Sequence, residues 1–244
     1  IVRRAAAREA EGDMRTIGIV GGFTWLSTLD YYRIINQEVS ARLGGRHAAR
    51  IALWSVDFEE HMRIQDSEGW AGVTDEVTDI GNRLKVAGAD FLLLTANTLH
   101  RVAEPVEAAV GLPVLHIADA TAAAIRARGL RTVGLLGTSV TMTGDFWVRR
   151  MAERHGIRVL VPDAAGIREL DRIIYEELAA GRFEPRDRQA CLREIERLTA
   201  AGAEAVVLGC TELQLLIRPE DTPALLFDTL ELHARAAAER ALAD

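Results

Sequence analysis

The stretch Arg15-Thr16-Ile17-Gly18-Ile19-Val20-Gly21 returns 116 positions later as Arg131-Thr132-Val133-Gly134-Leu135-Leu136-Gly137. A second pair follows it: Gly88-Ala89-Asp90 ahead of an apolar run returns 114 positions later as Gly202-Ala203-Glu204 ahead of another. Two matches in order, with nearly equal offsets, mark a duplicated unit. Short, apolar, β-branched runs alternate with longer segments of helical period, the signature of parallel strands joined by crossover helices. Strands are expected at 16–20, 50–56, 91–95, 114–117, 132–136, 158–161, 205–208 and 225–227. The clearest helices are expected at 28–43, 73–87, 118–128, 144–155, 169–180 and 185–201. The expected fold class is therefore α/β: two pseudo-symmetric α/β domains with parallel sheets and a ligand site in the cleft between them. The halves run 14–117 and 118–228, with a C-terminal helix 229–244 packing back on the first half. Residues 1–13 read as an N-terminal extension, frayed or helical.

Composition narrows the chemistry. A net charge of −7 and the lack of any basic run argue against nucleic acid. No apolar stretch is long enough to span a membrane, and Ile1 to Asp13 lacks the apolar segment of a secretory signal. Two cysteines, Cys191 and Cys210, are too few for a disulfide framework and fit a reducing cytoplasm. Lys85 is the one lysine and lies in an amphipathic stretch, where a snorkelling surface role is expected rather than a Schiff base. An amino-acid enzyme built this way works without pyridoxal phosphate; no cofactor and no metal are expected.

Open α/β sheets bind ligands beyond the carboxyl ends of their strands. Three strand-end loops carry unusual chemistry: Gly21-Gly22-Phe23-Thr24, Thr95-Ala96-Asn97-Thr98 and Gly209-Cys210-Thr211-Glu212. The first, with Ser27 and Thr28 behind it, offers amides and hydroxyls to an anion, although close packing explains its glycines equally well. Cys210 is expected to open a helix, whose dipole and amides favour the thiolate. Cys191, inside a helical stretch, reads as inert. The offset of 114 sets Ala96 opposite Cys210, Asn97 opposite Thr211 and Thr98 opposite Glu212, an arrangement suited to a planar carbanion with one group on each face. Asp57 is expected to cap the segment that follows it, and Trp54 and Trp147 to be core.

Taken together, Gly21-Gly22-Phe23-Thr24-Trp25-Leu26-Ser27-Thr28 with Tyr31, Tyr32 and Asn36, then Ala96-Asn97-Thr98-Leu99-His100, His116-Ile117-Ala118-Asp119-Ala120-Thr121 and Gly209-Cys210-Thr211-Glu212-Leu213 resemble the aspartate/glutamate racemase family. The similarity is greatest to its L-aspartate/glutamate-specific branch and runs from about Met14 to the C-terminus. The resemblance implies two opposed groups acting as acid and base on an α-carbon, either two cysteines or a threonine and a cysteine. Cys210 fits the second position. The first falls on Ala96, which has no proton to exchange, so Thr95 and Thr98 are the alternative catalytic candidates; strand alternation turns Thr95 away. The resemblance also points to His47 and Arg50 for a distal carboxylate and to Arg168 as a second candidate. Gly22, Phe23, Thr24, Ala96, Asn97, Thr98, Thr138, Thr211 and Glu212 complete the expected substrate contacts. For His100 and Glu212 a structural role is the plainer reading. A homodimer through the Tyr31-Tyr32 helix is implied as well.

Three functions follow. The first is a racemase of an acidic amino acid, with Cys210 moving the α-proton. The second is a single-cysteine decarboxylase or isomerase of the same superfamily. The third is an amino-acid-binding homologue that lost turnover when position 96 became alanine.

Overall fold

A computed structural model describes residues 14–243; the expectation for residues 1–13 lies outside them. The chain forms two compact units. The first comprises residues up to Thr95 together with Val102–Leu115 and Ala234 onward; the second comprises Ala96–Arg101 and His116–His233.

The first unit holds strands β1 (Ile17–Gly21), β2 (Ile51–Ser55), β3 (Phe91–Leu94) and β4 (Val114–Leu115) in the order β2-β1-β3-β4, all parallel. The second holds β5 (Thr132–Leu136), β6 (Arg158–Leu160), β7 (Ala205–Leu208) and β8 (Leu226–Asp228) in the order β6-β5-β7-β8, again parallel. The register repeats the sequence offsets: Ile17 faces Phe91, and Val133 faces Ala205. The central strands β1, β3 and β7 are buried along their whole length, which is why they read as continuous apolar runs rather than alternating ones.

Each unit locks its two central strands with the same acidic device. Asp90 accepts the Thr16 amide at 2.6 Å, and its own amide donates to the Thr16 carbonyl at 2.8 Å. Glu204 accepts the amides of Arg131 and Thr132 at 2.8 Å each, and its amide donates to the Thr132 carbonyl at 2.9 Å. These acids follow the two Gly-Ala pairs of the repeat, so the second sequence match is a conserved strand-entry clamp of the two copies.

The helices around the first sheet are α1 (Trp25–Leu43), α2 (Phe58–Val86) and α3 (Ala103–Val110). Asp57 caps α2 as expected, accepting the Glu60 amide at 3.1 Å. Trp54 is not core: it lies on the outer strand β2, 40% exposed, beneath the Arg83 guanidinium at 4.9 Å. In the second unit lie α4 (Ile117–Ala127), α5 (Ser139–Thr143), α6 (Val148–His155), α7 (Ala164–Arg172), α8 (Pro185–Ala200) and the single turn α9 (Leu213–Leu216). The helix expected at 144–155 starts later, at Val148, because Gly144 is extended and a turn intervenes. The helix expected at 169–180 begins earlier and changes character, passing from α7 into a π-helical turn at Ile173–Glu177. The last helix, α10 (Thr229–Leu242), starts in the second unit, and from Ala234 on it belongs to the first. There it is tied by the Arg15 amide to the Ala241 carbonyl at 2.8 Å and by Arg42 to Glu239 at 2.8 Å. No helix among the described residues is long and apolar enough to cross a membrane.

Gly22 has φ +95°, and a Cβ there would stand 2.4 Å from the Val56 carbonyl oxygen. Gly22→Ala therefore combines left-handed strain with overpacking and should destabilise the chain by about 2–4 kcal/mol. Gly45→Ala, at φ +59° with no heavy atom nearer than 3.9 Å, should cost only about 1 kcal/mol. Denaturant melts of the two variants check the ordering.

Candidate functional site

The loop after β7 carries Cys210, 9% exposed. Its Sγ donates to Glu212 Oε2 at 3.2 Å, and the Thr211 hydroxyl donates to the same carboxylate at 3.1 Å. Burial pushes the Cys210 thiol well up, and the Glu212 charge pushes it further; the amides of Glu212 and Leu213 pull the other way. The expected helix-dipole activation is not what this loop supplies. The helix that follows is one turn long and begins at Leu213, too short to carry a useful dipole. Resting Cys210 is a protonated thiol beside its own proton acceptor. Cys191 is buried in α8, with its thiol raised to about 12 by burial and by Asp187, and stays inert.

The Ala96-Asn97-Thr98 loop belongs to this same unit. Asn97, buried, donates through Nδ2 to Thr229 Oγ1 at 3.0 Å, and Thr229 donates to the Leu208 carbonyl at 2.8 Å. Trp147 Nε1 donates to Asn97 Oδ1 at 3.2 Å. A chain of hydrogen bonds thereby ties the loop to the strand end two residues before Cys210. The Asn97 side chain, expected to contact substrate, makes this linkage through both of its polar atoms. Thr229 and Trp147 were not singled out as site residues by the sequence; the signal was Trp147, whose buried indole N–H requires a polar partner. Ala96 and Thr98 are half-buried, and Thr98 opens a 3-10 turn.

Behind this loop lie three buried imidazoles. His100 and His116 have ring centroids 4.6 Å apart, and His100 and His233 are separated by 5.4 Å. His100 Nδ1 is 3.0 Å from the Ala96 carbonyl, which only accepts, so that nitrogen carries hydrogen. His116 accepts the Ala118 amide at 3.2 Å and caps α4. Burial, then His100, hold its imidazole far below the ordinary range, so it stays neutral. His100 supports the loop backbone, as its plainer reading has it.

Thr138 caps α5, and its hydroxyl lies 3.2 Å from that of Thr141. Tyr175, which the sequence did not single out, projects from the π-helical turn and is hydrogen-bonded to Thr138. Its phenol is raised by burial and by the charges of Asp171 and Cys210. Such turns often mark functional positions. Arg168 is exposed on α7, which follows the carboxyl end of β6.

In the first unit the expected contacts are engaged elsewhere. The Thr95 hydroxyl donates to the Val20 carbonyl at 3.1 Å and is buried there, so Thr95 ties β3 to β1. The Gly22 amide donates to Thr28 Oγ1 at 2.9 Å, and the Thr24 and Ser27 hydroxyls lie 3.0 Å apart. This turn is a self-satisfied packing turn. Phe23 stacks edge-on against His61, with centroids 4.7 Å apart. Arg50 and exposed His47 precede β2, and Arg50 donates to the Met14 carbonyl at 3.2 Å. That is the amino edge of the sheet, about 16 Å of strand from the carboxyl edge. At the carboxyl edge of β2 lies instead an acidic hollow of about 330 Å³ lined by Asp57, Glu60, Glu76 and Asp79. Among the described residues no cluster of three or more histidine, cysteine or acidic side chains is placed to hold a metal.

Comparison with known proteins agrees with the fold. Residues 20–237 match the family model described as Asp/Glu/Hydantoin racemase. A crystal structure of a provisionally assigned Asp/Glu racemase from Yersinia pestis is 45% identical, with a TM-score of 0.88 over 94% of this chain and 100% of that one. An aspartate racemase homologue from Pyrococcus horikoshii OT3 is 39% identical, with a TM-score of 0.78 over 93% and 99%. Glutamate racemase of Deinococcus radiodurans is 32% identical over 124 residues, which cover 47% of this chain and 40% of that protein.

Replacing Glu212 by Gln removes the charge and keeps the volume. The pH at which iodoacetamide labels half of Cys210 should then fall, because the thiolate loses a repelling neighbour. Cys191 should remain unlabelled in both proteins at pH 9. An unchanged midpoint would show that Glu212 does not control the thiol.

Proposed function

The chain belongs to the Asp/Glu/Hydantoin racemase family, and on that premise we propose that it acts on aspartate, glutamate or a related acidic substrate by moving the α-proton with Cys210, without pyridoxal phosphate. The observation that carries the reading is the 3.2 Å contact between the Cys210 thiol and the Glu212 carboxylate, in the unit that also holds the Ala96 loop. Transfer of the thiol proton to Glu212 gives a thiolate and a carboxylic acid with no change in net charge, which a buried site tolerates far better than creating a second charge. The thiolate then takes the α-proton. Backbone amides of Asn97, Thr98 and Thr211 receive the α-carboxylate and stabilise the enediolate-like charge. Arg168 is the cation we assign to the distal carboxylate.

Lys85 supports independence from pyridoxal phosphate, because the one amine of its type donates to the Val110 carbonyl at 2.6 Å. The free thiols of Cys191 and Cys210 agree with a reducing, cytoplasmic setting. We assign a homodimer to α1, where Trp25, Leu29 and Tyr32 form an exposed apolar stripe at helical spacing.

Alanine at position 96 supplies no proton donor opposite Cys210. In deuterated water the wild type should wash out the α-proton of aspartate or glutamate faster than it interconverts enantiomers, read by proton NMR and chiral chromatography. Cys210→Ser should abolish exchange with the fold intact, and Cys191→Ser should be silent. Ala96→Cys or Ala96→Thr should raise interconversion on the order of 10²–10⁴-fold. Release of carbon dioxide from a malonate-type acid would establish the decarboxylase instead, and binding with no exchange the non-catalytic homologue.

A further inference from the structure

Arg168, Asp171 and Tyr175 are spaced by three and then four residues, which brings them onto one face of the segment formed by α7 and the π-helical turn at Ile173–Glu177. That face is docked on the loop after β5. Asp171 Oδ1 accepts the Ser139 amide at 2.7 Å, and the Tyr175 phenol is hydrogen-bonded to the adjacent Thr138 side chain. The same loop runs along the Cys210 loop. Leu136 pairs with Leu208, the Gly209 amide donates to the Leu136 carbonyl at 2.6 Å, and a Cβ at Gly137 would stand 2.9 Å from the Gly209 carbonyl oxygen. Two glycines thus let the backbones that lead to Thr138 and Cys210 touch, and the Cys210 charge is felt at the Tyr175 phenol.

A packing role would account for a buried ring. Tyr175 is 41% exposed, whereas Tyr31 is fully buried, and an exposed phenol finds its hydrogen bonds in water without Thr138. Thr138 is not short of partners either: it accepts the Thr141 amide at 3.3 Å and lies 3.2 Å from the Thr141 hydroxyl. The bond between Tyr175 and Thr138 meets no need of the core, and its effect is to aim the phenol.

The chain commits several charges to the turn that carries this ring. Glu177, at its end, receives Arg182 Nε at 2.6 Å, with Arg186 at 3.5 Å and Arg172 at 3.7 Å. Arg172 also reaches buried Asp187 on α8 at 2.5 Å. A single π turn inside a helical segment is rare, and these ion pairs hold it in place.

The chemistry of the face suits an anion. Burial and the Asp171 charge raise the phenol above its ordinary range, so it stays neutral and offers an O–H. Arg168, exposed on the same face, offers a guanidinium. About 10 Å of helix axis separates the two positions, a span that a long arginine and a tyrosine close from its ends. Asp171, between them, is engaged with the Ser139 amide. An O–H and a guanidinium converging on one place match the two oxygens of a carboxylate.

We propose that Tyr175 is a substrate-contacting residue of the Cys210 site, donating its phenol hydrogen bond to the distal carboxylate that Arg168 holds, so that α7 and its π turn select dicarboxylates. The inference rests on the reading of the Cys210 loop as the substrate site.

Iodoacetamide labelling of Cys210 in the full chain measures occupancy whether or not a reaction follows. L-aspartate, L-glutamate and succinate should protect the thiol in the wild type. Tyr175→Phe removes only the hydroxyl and should melt at the wild-type temperature. It should raise the half-protecting concentrations of these acids about tenfold or more, the loss of one hydrogen bond to a charged group. That of L-alanine, which lacks a distal carboxylate, should not move. In the exchange assay the same variant should raise KM for aspartate or glutamate about tenfold, with kcat changed less than about threefold. Wild-type protection that Tyr175→Phe shifts, with no α-proton exchange, would remove the racemase reading and leave this one standing. Unchanged half-protecting concentrations in the folded variant, an equal loss for L-alanine, or no protection by any of the three dicarboxylates would each overturn it.

Discussion

Asn97 is the residue on which the candidate site depends. Its side-chain amide has one donor directed at Thr229 and its oxygen filled by Trp147, and Thr229 hands the linkage on to the carbonyl of Leu208. All three side chains are buried, where an unmet hydrogen bond costs about 1–3 kcal/mol. The loop therefore has one comfortable arrangement, and in it position 96 is fixed relative to the end of β7. His100 adds a second restraint by holding the Ala96 carbonyl. A loop restrained in this way presents its backbone amides at constant geometry, which is what stabilising a developing enediolate requires.

The same logic explains which parts of the molecule were legible in the sequence. The repeat was legible because β1 and β5 are buried on both faces and can accept little but small and branched apolar residues. The acid after each Gly-Ala pair recurs because the strand entry needs a carboxylate for its exposed amides. Cys210 and the Ala96 loop were legible as strand-end loops of a duplicated sheet. What escaped was the direction of side chains. Nothing in the order of residues distinguishes an asparagine that meets a ligand from one that meets Thr229. Nor could the spacing reveal that Arg50 stands at the amino edge of its strand while the ligand loops leave the carboxyl edge. Trp54 is not core because β2 is an outer strand, and Arg83 covers the ring.

The helix expected after Cys210 failed for a related reason. Leu213 to Leu216 has helical composition, yet β-branched Ile217 turns extended and Pro219 follows two residues later, so the turn cannot propagate. Without a helix dipole the thiol is governed by burial and by Glu212. That reverses the sequence-based view of its resting state. In the proposed reaction the sulfur starts as a proton donor and becomes a base by passing its proton to the carboxylate beside it.

This reversal bears on the alanine at position 96. In a site with two opposed acid/base groups, one must rest protonated and the other deprotonated, and the pair sets which enantiomer is attacked first. In the proposed reaction a single pair, thiol and carboxylate, holds both states on one face, so alanine at position 96 is expected to remove inversion without removing proton transfer. A carbanion formed in such a site is reprotonated from the face it left, unless water reaches the other side. Proton exchange without inversion is the outcome the proposed mechanism expects of this asymmetry. A second group at position 96 would be held in place by the hydrogen bonds of Asn97 that already fix the loop.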